Sequence, residues 1–126
     1  MLLEFSACGK KAIFVTLTYD DDHLHSCSSD YFTGSLCKSD WPPFMKRLRE
    51  RVRDICPNLR FYASGEYGDH THRPHMHAII FGLTLIDVFD GFDHVVHYGK
   101  YGNSYSSALL TDVWRNGFVS VGDVSL

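Results

Sequence analysis

The chain has 126 residues, 44% hydrophobic and 21% charged, with a formal net charge of −3, which suits one domain with a single core. No apolar run approaches the roughly 18 residues of a membrane span, and the opening MLLEFSACGKK lacks the basic lead and apolar stretch of a secretory signal, so a cytoplasmic protein with no membrane partner is expected. The negative balance argues against an indiscriminate nucleic-acid binder but leaves room for a local basic face.

Cys8, Cys27, Cys37 and Cys56 form no C-x-x-C pair and no Cys/His zinc spacing, so reduced thiols are expected.

In chain order, residues 12–20 (AIFVTLTYD) are rich in β-branched and aromatic side chains and read as a strand. Residues 20–38 are polar, with Ser, Asp and Gly, and read as a long loop. Residues 40–55 read as a helix. Ser39 or Asp40 can cap it, Pro42 and Pro43 sit in the first turn, and Met45, Leu48, Val52 and Ile55 form the buried stripe. Residues 59–68 and 75–83 read as two strands of an antiparallel hairpin joined by a short polar connection. Residues 84–107, rich in Gly, Asp, Tyr and Ser, read as an irregular excursion. Residues 107–117 suggest a short helix anchored by Trp114 and stopped at Gly117, and 118–124 alternate like a final strand. The order β-α-β-β-α-β predicts a single α+β domain over residues 1–126: an antiparallel sheet with helices on one face, in a split βαβ, ferredoxin-like plan.

The chemistry concentrates in RPHMHAIIFG, residues 73–82. His75 and His77 are two apart on a strand and so share a face, with Cβ atoms about 6.5–7 Å apart. On the other hairpin arm, Arg60, Tyr62, Ser64 and Glu66 share one parity. If that face is also the histidine face, two imidazoles and one carboxylate meet. Such a mixed N/O set suits Mn²⁺ or Mg²⁺ with open positions for phosphate oxygens better than a closed structural zinc site. His70 and His72, in the connection, read as solvated turn residues. Arg73, and Lys46, Arg47 and Arg49 on the helix, are candidate contacts to DNA phosphates; the helix cations read equally as a solvated face. Tyr19 and Tyr67 offer stacking surfaces, with packing the stronger reading.

The succession FVTLTYDD (14–21), FMKRLRERV (44–52), GEYGD (65–69), RPHMHAIIFG (73–82) and WRNGFVSVGDV (114–124) resembles the HUH-type rolling-circle replication initiators of microviruses, especially the gokushovirus branch that includes phages of chlamydiae. The resemblance implies the HUH endonuclease fold, with His75 and His77 as the histidine-hydrophobe-histidine cation ligands and Glu66 as the acidic third. It implies site-specific nicking of single-stranded phage DNA at an origin by a tyrosine that becomes joined to a 5′-phosphate. In relatives the nucleophilic tyrosines follow the last strand on a helix. Here the residues stop at Leu126, and Tyr98, Tyr101 and Tyr105 precede Trp114. The expectation is a phage-derived domain whose C-terminal helix and nucleophile are missing, a truncated remnant without full activity. Two other readings compete: a non-catalytic nucleic-acid binder with an RRM-like sheet, and a metal-dependent hydrolase drawing further ligands from Asp20 to Asp22.

Overall fold

Alternation along residues 12–19 decides how the first strand lies. In the computed structural model, which describes residues 11–20, 40–67, 74–89, 95–99 and 102–124 (backbone alone at 66, 67, 74, 97–99 and 102), Ile13, Val15 and Leu17 are fully buried while Phe14 stays partly exposed. This strand is β1 (Ala12–Thr18). It pairs on one side with β3 (Pro74–Phe81) and on the other with β6 (Val119–Asp123). β3 pairs in turn with β2 (Arg60–Tyr67), the expected antiparallel hairpin partner.

The six-stranded sheet runs β2-β3-β1-β6-β5-β4, antiparallel at every junction, with β4 at Val95–Gly99 and β5 at Gly102–Ser106. β1 and β2 both oppose β3 and are therefore parallel with β3 between them. The crossover that joins them carries helix α1 (Trp41–Arg51). β3 and β6 flank β1 in the same way, joined through helix α3 (Ala108–Trp114). These two interlocked crossovers are the split βαβ plan predicted from the sequence.

The segment read as an irregular excursion is instead regular. It holds the one-turn helix α2 (Leu85–Val88) and the β4–β5 hairpin, which extends the sheet beyond β6. Its short strands carry little apolar alternation, and a register shift between Val95 and His97 breaks what there is.

All three helices among the described residues contribute to one core. Trp41, Phe44, Met45 and Leu48 of α1, Val88 of α2, and Leu110, Val113 and Trp114 of α3 pack with Ile13, Val15, Leu17, Met76, Ala78, Ile80, Val119 and Val121 of the sheet. Each fully buried large side chain contributes about 1.5–3 kcal/mol of transfer free energy, so this layer dominates stability. Ser107 locks α2 to α3, donating its hydroxyl to Val88 O at 2.7 Å and accepting from Leu110 N at 3.2 Å as the helix cap.

Two helix expectations are corrected. α1 ends at Arg51, and a turn on Val52 O, which accepts from Ile55 N and Cys56 N at 2.9 Å, leaves Ile55 half exposed instead of in the stripe. Asp40 occupies the cap position without a side-chain cap bond; its carboxylate accepts from the Tyr19 hydroxyl at 2.7 Å. α3 is stopped by Arg115, left-handed at φ 69°, two residues before Gly117. Gly117 serves another purpose: a Cβ there would lie 2.1 Å from Thr18 O, so only glycine permits the chain to pass β1 so closely.

Candidate cation and nucleic-acid face

Because the buried parity of β3 is Met76, Ala78 and Ile80, His75, His77 and Ile79 occupy the opposite side of the sheet. Among the described residues no helix covers that side. The registers build it in rows across the strands. Tyr62, Ile79, Phe14 and Gly122 form one row, and Ser64, His77, Thr16 and Ser120 the next. A third joins position 66, His75 and Thr18, with Phe118 beyond, its carbonyl accepting from Thr18 N at 2.9 Å. An apolar row therefore borders two rows that hold the histidines, hydroxyls and one acidic position.

The two imidazoles are half-buried neighbours, their ring centroids 5.0 Å apart and nearly perpendicular. His77 is held from two directions. Thr16 Oγ1 lies 3.1 Å from its Nδ1, and the Phe14 ring stacks on it at 5.5 Å and 17°. Residue 66 is paired with His75 across the hairpin, so the acidic position occupies the histidine face, as the parity argument required; its side chain lies outside the description. Among the described residues no group of three or more His, Cys, Asp and Glu side chains gathers. Two adjacent imidazoles with a carboxylate position opposite form a donor set that fits a divalent cation accepting mixed N and O ligands.

The basic candidates are elsewhere. Lys46, Arg47 and Arg49 ride on α1, behind the sheet. Arg47 donates from Nε to Val113 O at 2.6 Å and from a terminal nitrogen to Trp114 O at 3.1 Å, closing the C-terminal end of α3. Partial burial, then the charge of Arg115, lowers the pKa of its guanidinium, with Asp40 opposing. Arg49 reaches Leu59 O at 3.4 Å, and Lys46 is exposed. Arg73, His70 and His72 lie outside the described residues, as do Asp21, Asp22 and the 21–39 loop. Tyr19 is buried edge-on against Trp114, ring centroids 5.3 Å apart, and so packs in the core. The side chain of Tyr67 falls outside the description.

Sequence reasoning did not single out Phe14 and Thr16 as neighbours of His77. Their parity on β1 is readable, but the register that brings them to His77 is a long-range pairing that no local pattern encodes.

A family model for replication-associated proteins of the ORF2 and gene II protein kind matches residues 12–125. The chain belongs to this family. Among its relatives, the replication-associated protein VP4 of Bdellovibrio phage phiMH2K is 34% identical over 119 residues, covering 90% of this chain and 34% of its own length. The replication-associated protein ORF2 of Spiroplasma virus 4 is 31% identical over 98% of this chain and 37% of its own length. The replication-associated protein ORF4 of Chlamydia phage 1 is 32% identical over 86% of this chain and 26% of its own. This replication-associated chain thus spans about a third of the curated relatives it matches. No solved structure matches it. No helix among its described residues is long and apolar enough to cross a membrane.

Proposed function

We propose that this replication-associated domain holds a divalent cation, Mg²⁺ or Mn²⁺, at His75, His77 and Glu66, and lays single-stranded DNA across the helix-free face of its sheet. The observation that carries the reading is the adjacency of the two imidazoles on that face, opposite position 66 and beside an exposed aromatic row. A bound cation would supply Lewis-acid stabilisation of phosphate oxygens. The chain's own residues do the rest. Tyr62, 63% exposed, and Phe14, 39% exposed, offer faces on which bases stack. The hydroxyls of Thr16, Thr18, Ser64 and Ser120 can donate to phosphate.

For the whole protein the proposed role is the nicking of single-stranded phage DNA that starts rolling-circle replication, with a tyrosine as the attacking group. Tyr105 does not fit that role: it packs edge-on against Phe89 at 5.4 Å and is paired with Val121 of the core parity. The proposal for these residues is therefore cation and strand binding, as in a domain without full nicking activity.

The exposed aromatics also favour the second reading, a non-catalytic nucleic-acid module with an RRM-like sheet, which needs no metal. Fluorescence anisotropy with a labelled single-stranded oligonucleotide separates the two. The cation reading predicts that Mn²⁺ tightens binding and that His77→Ala abolishes this gain. Equal affinity with and without Mn²⁺ favours the metal-free module.

A further inference from the structure

We propose that Thr16 is a positioning residue for His77: its side-chain oxygen accepts the Nδ1 proton of the imidazole, which leaves the Nε2 lone pair to meet the cation. The inference rests on the cation reading and assigns a role in it to β1.

Three observations carry it. Thr16 Oγ1 and His77 Nδ1 are 3.1 Å apart, within hydrogen-bond range. The two residues are direct register partners on the central strands β1 and β3, so the contact is set by the sheet and not by a loop. The Phe14 ring lies 5.5 Å from His77 and 17° from parallel, which hinders the imidazole from swinging out of plane. Turning that imidazole over within its plane would bring a ring carbon to Thr16 and forfeit the bond. Threonine, stiff at χ1, holds its oxygen in place better than an unbranched side chain.

A neutral imidazole carries one N–H and one lone pair, and the tautomer decides which nitrogen is which. With the proton on Nδ1 and the threonine oxygen accepting it, Nε2 is the ligating nitrogen. Metal-binding histidines are usually fixed in this way, by an acceptor for the other ring N–H. With the proton on Nε2, the threonine hydroxyl would donate to Nδ1 and the nitrogen needed for the cation would be blocked.

The test is direct nitrogen NMR on the metal-free chain labelled at histidine, above the pH range in which imidazoles ionise, combined with Mn²⁺ calorimetry. The expected result is an Nδ1–H tautomer for His77 in the wild type and in Thr16→Ser, with mixed tautomers in Thr16→Val. Mn²⁺ affinity should fall roughly 10- to 100-fold in Thr16→Val and recover in Thr16→Ser. The urea midpoint should hold in both, because valine suits a strand and keeps the shape of threonine. An Nε2–H tautomer in the wild type, or a Thr16→Val variant with wild-type tautomer and affinity, overturns the proposal. Should the wild type bind no Mn²⁺, the cation reading fails, and the tautomer measurement still decides whether Thr16 orients the ring.

Discussion

The indole nitrogen of Trp114 donates to the main-chain oxygen of Thr18 at 2.8 Å. The ring that anchors α3 in the core thus also grips the end of β1, two residues from Thr16 in the histidine row. Gly117 closes on the same carbonyl. Its added Cβ would meet Thr18 O at 2.1 Å and Asp20 N at 2.7 Å, both backbone atoms that cannot step aside. Gly117→Ala should therefore destabilise the fold by about 3 kcal/mol, the upper part of the range for overpacking. At Gly122 a Cβ would meet only Asn103 O, at 3.4 Å, so Gly122→Ala should stay within about 0.5 kcal/mol of the wild type. Urea denaturation of the two variants checks the contrast.

Arg47 gives a prediction that separates stability from binding. Its two hydrogen bonds to Val113 O and Trp114 O are charge-assisted, and such bonds contribute about 1.5–3 kcal/mol each when lost without a substitute. Partial burial lowers its pKa, yet a guanidinium stays protonated across the accessible pH range, so the loss in Arg47→Ala should not vary between acid and neutral conditions. The folded variant should bind a single-stranded oligonucleotide as the wild type does. A drop in affinity larger than the drop in folded fraction would place DNA on the helix side.

Tyr62 should behave in the opposite way. It is 63% exposed and contributes little to the core. A stacked base is worth about 1–3 kcal/mol, so Tyr62→Ala should weaken oligonucleotide binding roughly 5- to 100-fold with an unchanged melting temperature. Lys46→Ala, on the far side of the sheet, should change anisotropy titrations less, and mainly through their salt dependence.

Incubation of this chain with single-stranded DNA and Mn²⁺ should leave no denaturant-resistant adduct on a gel. Tyr105, the described tyrosine closest in the chain to the last strand, is occupied in packing against Phe89. An adduct abolished by Tyr105→Phe would reverse this assignment.

The β-α-β-β-α-β order was legible because its strands alternate and its main helix carries Met45, Leu48 and Val52 on one face, all of them buried. The hairpin register was legible as well, since parity alone puts residue 66 on the side of His75 and His77. Three features escaped for different physical reasons. β4 and β5 have polar, glycine-rich strands whose pairing is fixed by neighbours and not by alternation. The end of α3 is set by a left-handed arginine, a conformation that residue type disfavours. The service of Arg47 to α3 joins residues 66 and 67 apart in sequence, which local charge patterning cannot reveal. Helical cations read as a phosphate face are in part a clamp between helices.

The most direct test of the account is isothermal calorimetry of Mn²⁺ against the purified chain, beside His75→Ala, His77→Ala and Glu66→Gln. One site should bind in the wild type, vanish in either histidine variant and weaken in Glu66→Gln. A wild-type chain that binds no Mn²⁺, or a His75→Ala/His77→Ala double variant that binds it equally well, would contradict the assignment of this face as a cation site.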